Sequence, residues 1–202
     1  GSSKVKRNKF PDIIFHDEFE AQDGKPAEGF KLSDFVPPGE DLISQLYKTE
    51  SLFLTMMNKH FDWMHSVDER RHLYYNMLQY WHGVLKKYKP GIIIFLSVPH
   101  ALFSYLIYEL AHLLNIKTIV FDHILISDRS ILYTDFRKDS MALQRALQRN
   151  QNKEFSPQDL EDDLREHYKL RTNPNYNNAL PHLTEQLKEF TIVQRMLVKI
   201  KI

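Results

Sequence analysis

The chain has 202 residues, of which 43% are hydrophobic and 26% charged, a balance that suits a globular α/β domain with a helical appendage. A formal net charge of +1 gives no global field to recruit nucleic acid, and the lack of cysteine excludes a disulfide scaffold, a thiolate zinc site, an iron–sulfur cluster and a cysteine nucleophile. The six glycines, the last of them Gly91, cannot compose a G-x-G-x-x-G or a Walker A loop, which disfavours a dinucleotide dehydrogenase and a P-loop NTPase.

No apolar run approaches the ~20 residues that span a bilayer. The expected placement is therefore cytoplasmic, with room for peripheral contact at the inner face of a membrane. Gly1-Ser2-Ser3 reads as a cloning remnant, and residues 1–9 as that tag followed by a basic arm. From Phe10 to Asp17, the short apolar run Ile13-Ile14-Phe15 after Pro11 predicts a buried strand ending in His16 and Asp17. Residues 18–40 carry Asp23-Gly24, Gly29 and Pro37-Pro38 and predict a long loop. Apolar residues at three- and four-residue steps then predict helices over about 41–61 and 69–88.

At Lys89-Pro90-Gly91 the period changes. Ile92-Ile93-Ile94-Phe95-Leu96 is a continuous run, the pattern of a parallel strand covered on both faces. A turn at Ser97–His100, a helix over 101–115 and a strand over 117–121 follow, with Asp122 and His123 just beyond it. This alternation predicts a βαβ unit. The expected fold is α/β: a Rossmann-like parallel sheet flanked by helices over residues 10–136. A helical C-terminal extension is expected over 137–202. In it, Met141–Arg149 is a short helix, Ser156-Pro157-Gln158-Asp159 a capping signal, residues 172–178 an Asn-rich loop, and 183–200 a final amphipathic helix.

In open α/β sheets, ligands bind beyond the carboxyl ends of the strands. Three expected strand ends there carry His16 and Asp17, Ser97 and His100, and Asp122 and His123, with Ser127, Asp128 and Arg129 further on. Such a rim can do acid–base work, because histidine titrates near neutrality and a neighbouring carboxylate orients the ring. His16, Asp17, His100 and Asp122 are the candidate catalytic residues. Ser97, His123, Asp128 and Arg129 are the candidate substrate-binding residues, Arg129 as an anion holder, although an Asp128–Arg129 ion pair would explain both charges. The His16-Asp17 dipeptide matches metal-dependent HD phosphohydrolases, but there it sits on a helix with further ligands. No cofactor and no metal site are expected.

The stretch from Lys89 to Asp135 carries the strand ending Ser97-Val98-Pro99-His100, the helix with Tyr105, Tyr108, Leu110 and Ala111, the Asn115–Thr118 link and the Ser127-Asp128-Arg129 loop. With the early Ile14-Phe15-His16-Asp17 segment, it resembles the amino-terminal half of bacterial capsule and surface-polysaccharide biosynthesis proteins with a GT-B-like glycosyltransferase architecture. The resemblance covers roughly residues 12–136. It implies a domain that holds the glycan or glycolipid acceptor, while a nucleotide-sugar donor sits mainly on a second Rossmann-like domain. Residues 137–202 show no further strand–helix alternation, so that domain is expected on a continuation of the chain or on a partner protein. Two other expectations stand beside this one: a noncatalytic interaction module docking a partner or a membrane-bound assembly through its apolar helices, and a small phosphoester hydrolase using the same rim.

Overall fold

The computed structural model describes residue 10 and residues 12–60, 66–124, 126, 129–138 and 140–174. The basic arm at 4–9, residues 175–178 of the Asn-rich loop and the amphipathic segment at 183–200 lie outside the described residues. The fold is mixed α/β, with helix predominating. Residues 1–123 with 130–148 form one compact unit, and residues 124–129 with 149–202 a second. The first runs past the expected boundary at 136 and excludes the 124–129 segment.

The first unit opens with a correction. Residues 13–17 carry no strand; Ile13 and Ile14 are exposed, and only Phe15 and His16 are partly buried. Helix α1 (Glu18–Gln22) stands where a loop is expected, and a 3-10 turn (Leu32–Asp34) follows. The helix expected over 41–61 is two helices, α2 (Glu40–Gln45) and α3 (Tyr47–His60), broken at the buried Leu46. Helix α4 (Val67–Tyr88) starts with a capping box. Ser66 Oγ accepts the Glu69 N–H, and the Glu69 carboxylate accepts the Ser66 N–H at 2.7 Å. It stops at Lys89, whose φ of 45° is left-handed.

Strand β1 (Ile92–Phe95), helix α5 (Leu102–Leu113) and strand β2 (Lys117–His123) form the expected βαβ unit, with β1 and β2 parallel. The sheet is not all parallel, however. Strand β3 (Ser130–Tyr133) pairs antiparallel with β2, giving the order β1-β2-β3. Paired residues share a face, so register sorts the side chains. Phe95, Thr118, Val120, Asp122 and Tyr133 lie on the α5 side; Ile92, Ile94, Ile119, Phe121 and Leu132 lie on the other. Phe95 and Val120 are buried against Tyr108 of α5, whereas the second face is largely exposed.

The main core lies between α5 and the layer of α3 and α4, filled by Phe53, Met57, Tyr74, Met77, Leu78, Leu102, Leu106 and Leu110. Polar clamps edge it. Glu50 of α3 accepts from Arg71 Nε at 3.2 Å and from Tyr75 Oη at 3.0 Å, both on α4. Helix α6 (Met141–Asn150) has no buried residue. Within the second unit a 3-10 turn (Pro157–Asp159) leads to α7 (Asp162–Thr172), and Arg165 reaches back to the carbonyls of Pro157, Gln158 and Leu160. Among the described residues, no helix is long and apolar enough to cross a membrane.

Gly83 of α4 leaves room for the Phe35 ring. A Cβ at this position would sit 2.3 Å from Phe35 Cδ1 and 2.7 Å from Phe35 Cβ. Alanine gains about 1 kcal/mol of helix propensity, but overpacking costs about 1–3 kcal/mol, and so close an overlap belongs at the upper end. Gly83→Ala is therefore expected to lower the urea midpoint of unfolding relative to the parent chain.

Candidate functional site

The C-terminal edge of the sheet gathers several of the residues singled out in the sequence. The loop from Ser97 to Ala101 joins the end of β1 to the first turn of α5. His100 lies exposed in it, with Nδ1 2.7 Å from the Val98 carbonyl oxygen. A carbonyl only accepts, so Nδ1 carries the proton, and in the neutral ring the lone pair is on Nε2. That is the orientation a general base needs. Ser97 is exposed in the same loop, and Asp122 lies half-buried on the α5 face near that end of β2.

Helix α1 closes this edge from the side. The Leu102 N–H, one of the unpaired donors at the start of α5, donates to Gln22 Oε1 at 3.0 Å. Gln22 thus caps a helix that has no side-chain cap at its own N-cap residue, Ala101. Gln22 Nε2 is buried and has no hydrogen-bond partner among the described residues. At the other end of α1, Asp17 is the N-cap, its Oδ1 accepting from the backbone of Phe19 at 3.0 Å and Glu20 at 3.2 Å. Beside that end lies a recess of about 350 Å³ lined by Phe15, Asp17, Glu20, Pro26, Ala27 and Glu28.

His16 is held in an aromatic bracket. Its ring lies 4.6 Å from Trp81 and 5.5 Å from Tyr80, centroid to centroid. Tyr80 Oη accepts the Ala27 N–H at 3.1 Å and lies 2.9 Å from His16 Nε2. The Tyr80 hydroxyl, with one O–H and a second lone pair, shares a hydrogen bond with that nitrogen whose direction follows the ring tautomer. Burial lowers the His16 pKa below its ordinary 6.5 and raises that of Tyr80. Both expected catalytic residues of this segment thus have structural roles, His16 as a docking group and Asp17 as a cap.

The other expected residues part company. Asp122 and His123 are not beyond β2 but in it, paired with Ile131 and Ser130, so alternation puts them on opposite faces of the sheet. His123 therefore does not share Asp122's side. Arg129 belongs to the second unit, where its guanidinium grips Asp163 in two parallel bonds of 3.0 Å and also bonds Glu161. A fork committed to two carboxylates is not placed to receive a substrate anion, and its expected role as an anion holder is withdrawn. Asp128 and Ser127 lie outside the described residues. Among the described residues, no three histidines, aspartates or glutamates gather as a metal site.

A further polar cluster joins α5 to the segment after β3. Tyr108 donates to Asp135 Oδ1 at 2.6 Å, and Arg137 Nε donates to the same oxygen at 3.2 Å while its NH1 bonds Glu109 at 3.0 Å. Burial alone would raise the Asp135 pKa. The bonds from Tyr108 and Arg137 outweigh it and hold the carboxyl well below the usual carboxylate range. Tyr105, one turn before Glu109 on α5, is pushed up to about 12, first by burial and then by Glu109. The cluster ties the segment after β3 to α5. Its separation in sequence, from Tyr108 to Arg137, left no local signal. Compared with protein-family models, with curated proteins and with solved structures, the chain finds no match.

The depressed pKa of His16 links stability to pH. Between the folded pKa and 6.5, the unfolded chain binds a proton that the folded chain does not. The contribution is fully present above 6.5 and is lost as pH falls through that window. His82, also lowered by burial and by Lys86, adds to it. Urea unfolding at about pH 7 and about pH 5 should show a smaller pH dependence in His16→Gln than in the parent chain, and smaller again when His82→Gln is added.

Proposed function

We propose that the first unit is the acceptor-binding part of a GT-B-like glycosyltransferase that builds a surface glycan or glycolipid. The β1–α5–β2 arrangement fits a Rossmann-like domain of that kind. The observation that carries the reading is the exposed His100, fixed through its Nδ1–H to the Val98 carbonyl at the C-terminal edge of a βαβ unit. In transfer, His100 Nε2 takes the proton of an acceptor hydroxyl as its oxygen forms a bond to the anomeric carbon of the donor sugar. The bond from that carbon to the nucleotide diphosphate breaks, and the electron pair leaves with the phosphate. Asp122, half-buried on the α5 side at this edge, supports the imidazolium that forms.

The recess beside α1 suits an acceptor better than a donor. Its lining offers the carboxyl group of Glu20, which accepts from a sugar hydroxyl, and the Phe15 ring, which covers an apolar sugar face. Carboxylates repel a diphosphate, and Arg129 is engaged elsewhere. The nucleotide sugar therefore belongs mainly to a second domain, on the same chain or a partner protein.

A second reading, a noncatalytic interaction module, draws on the exposed apolar face of the sheet. Kinetics separate the two. In the full gene product, assayed for sugar transfer over a panel of nucleotide sugars, His100→Ala should lower kcat by roughly 10²–10⁴, the usual worth of a general base. Glu20→Gln should mainly raise the KM for acceptor. Undiminished kcat in His100→Ala would remove His100 from the reaction, and no transfer with any donor by the parent protein would favour the module.

A further inference from the structure

The end of the sheet where β1 and β2 begin, opposite the edge that holds His100, carries a second recess, of about 390 Å³. It lies where α4 and α5 stop and the two parallel strands start. Leu85, Leu114 and Ile116 line it with apolar surface that is continuous with the main core. Lys86, Lys89 and Asn115 bring exposed polar side chains to the same lining.

The backbone singles out two of these residues. Lys89 has φ 45° and Asn115 φ 54°, and among the described residues no other non-glycine residue has a positive φ. Each ends a helix. Glycine is the usual residue in that position and asparagine the next, because a Cβ crowds the backbone in the left-handed region. Lysine is neither. The helix dipole asks only for a cation in the last turn, and Lys86 and Lys87 already provide one. Lys89 therefore carries a side chain that the helix end does not call for.

Charge in the recess is one-sided. No acidic residue occurs between Glu69 and Glu109 in the sequence. Lys87 is engaged by aromatic rings, its Nζ 5.2 Å from the Phe30 centroid and 5.5 Å from that of Tyr88. Among the described residues, no carboxylate forms an ion pair with Lys86 or Lys89. The ends of α4 and α5 present about half a negative charge each, which two ammonium groups outweigh.

We propose that this recess binds a small amphipathic anion. Lys86 and Lys89 hold its carboxylate or phosphate head, and its hydrocarbon body covers Leu85, Leu114 and Ile116. Two ammonium groups on flexible stems accept a head of either shape. The volume is at the lower end of the range for ligand sites, about 300–1,000 Å³, and suits a short chain. The recess uses none of the residues assigned to sugar transfer, so it stands independently of that reading.

NMR titration of the isotope-labelled full chain with sodium octanoate, kept below its micellar concentration, tests this. The amides of Lys86–Lys89 and Leu114–Lys117 should shift together along one saturable curve. Octanol lacks the charge and inorganic phosphate lacks the body, so each should bind roughly tenfold more weakly or less. Octyl phosphate should bind the same amides, and its affinity relative to octanoate identifies the preferred head. Lys89→Gly is the sharpest variant, since glycine suits the left-handed helix end and keeps the fold. It should weaken octanoate roughly tenfold, the worth of one charge-assisted bond, and Lys86→Gln should do the same. Lys87→Ala should leave the affinity unchanged. Parent affinity in Lys89→Gly, or octanol binding as tightly as octanoate, overturns the proposal. So do shifts centred on the exposed sheet residues Ile92, Ile94 and Phe121 instead of the recess.

Discussion

Helix α5 is apolar around most of its circumference, and the first unit is arranged to keep it dry. Leu102, Tyr105, Leu106, Tyr108, Leu110 and Ala111 are all buried. One side of the helix packs into the core of α3 and α4, and the other meets Phe95 and Val120 of the sheet. A helix hydrophobic all round must be covered on several sides at once, which two layers alone provide. This requirement sets the order of the layers: α3 and α4, then α5, then the strands. It also uses up one face of the sheet and leaves the other with nothing from these elements to cover it.

Burying α5 also buries its polar groups, and these impose a second set of constraints. Tyr108 brings a hydroxyl into the α5–sheet core, and Asp135 and Arg137 follow β3 to meet it. The unpaired N–H of Leu102 finds Gln22 of α1. These bonds hold the helix at its start and at its middle from outside it, one from before the first strand and one from after the last. An unpaired buried donor or acceptor costs about 1–3 kcal/mol, so each contact matters more for the penalty it avoids than for what it adds. They also hold the edge where His100 stands, because α1 and the start of α5 frame that loop.

How much of this could be read from the sequence depends on the range of the interaction. The βαβ unit was legible, since its strands and helix each carry a local period and the breaks at Pro90-Gly91 and Asn115 separate them. Helix α4 was legible for the same reason. The segment 13–17 was misread because a short apolar run looks alike in a buried strand and in a segment that packs by one or two side chains; here Phe15 and His16 are those. Helix α1 had a signal that glycines and prolines further along obscured: Asp17 as cap, with Glu18 and Glu20 in the first turn. Strand β3 is four residues long and is defined by its pairing with β2, a contact no local period encodes. That pairing also draws Asp122 and His123 into the strand and sends them to opposite faces, undoing their expected convergence.

The same distinction bears on β1, expected to be covered on both faces and found buried on one. Ile92 to Leu96 is apolar at every position, and such a run carries no alternation because both faces are to be covered. Only the α5 face of β1 is buried here, so the sequence holds more apolar surface than these elements use. Polar side chains at Ile92, Ile94 and Leu96 would cost the described fold little, since those side chains are exposed in it. Leu143 and Leu147 of α6 raise the same point, being apolar on a helix with no buried residue.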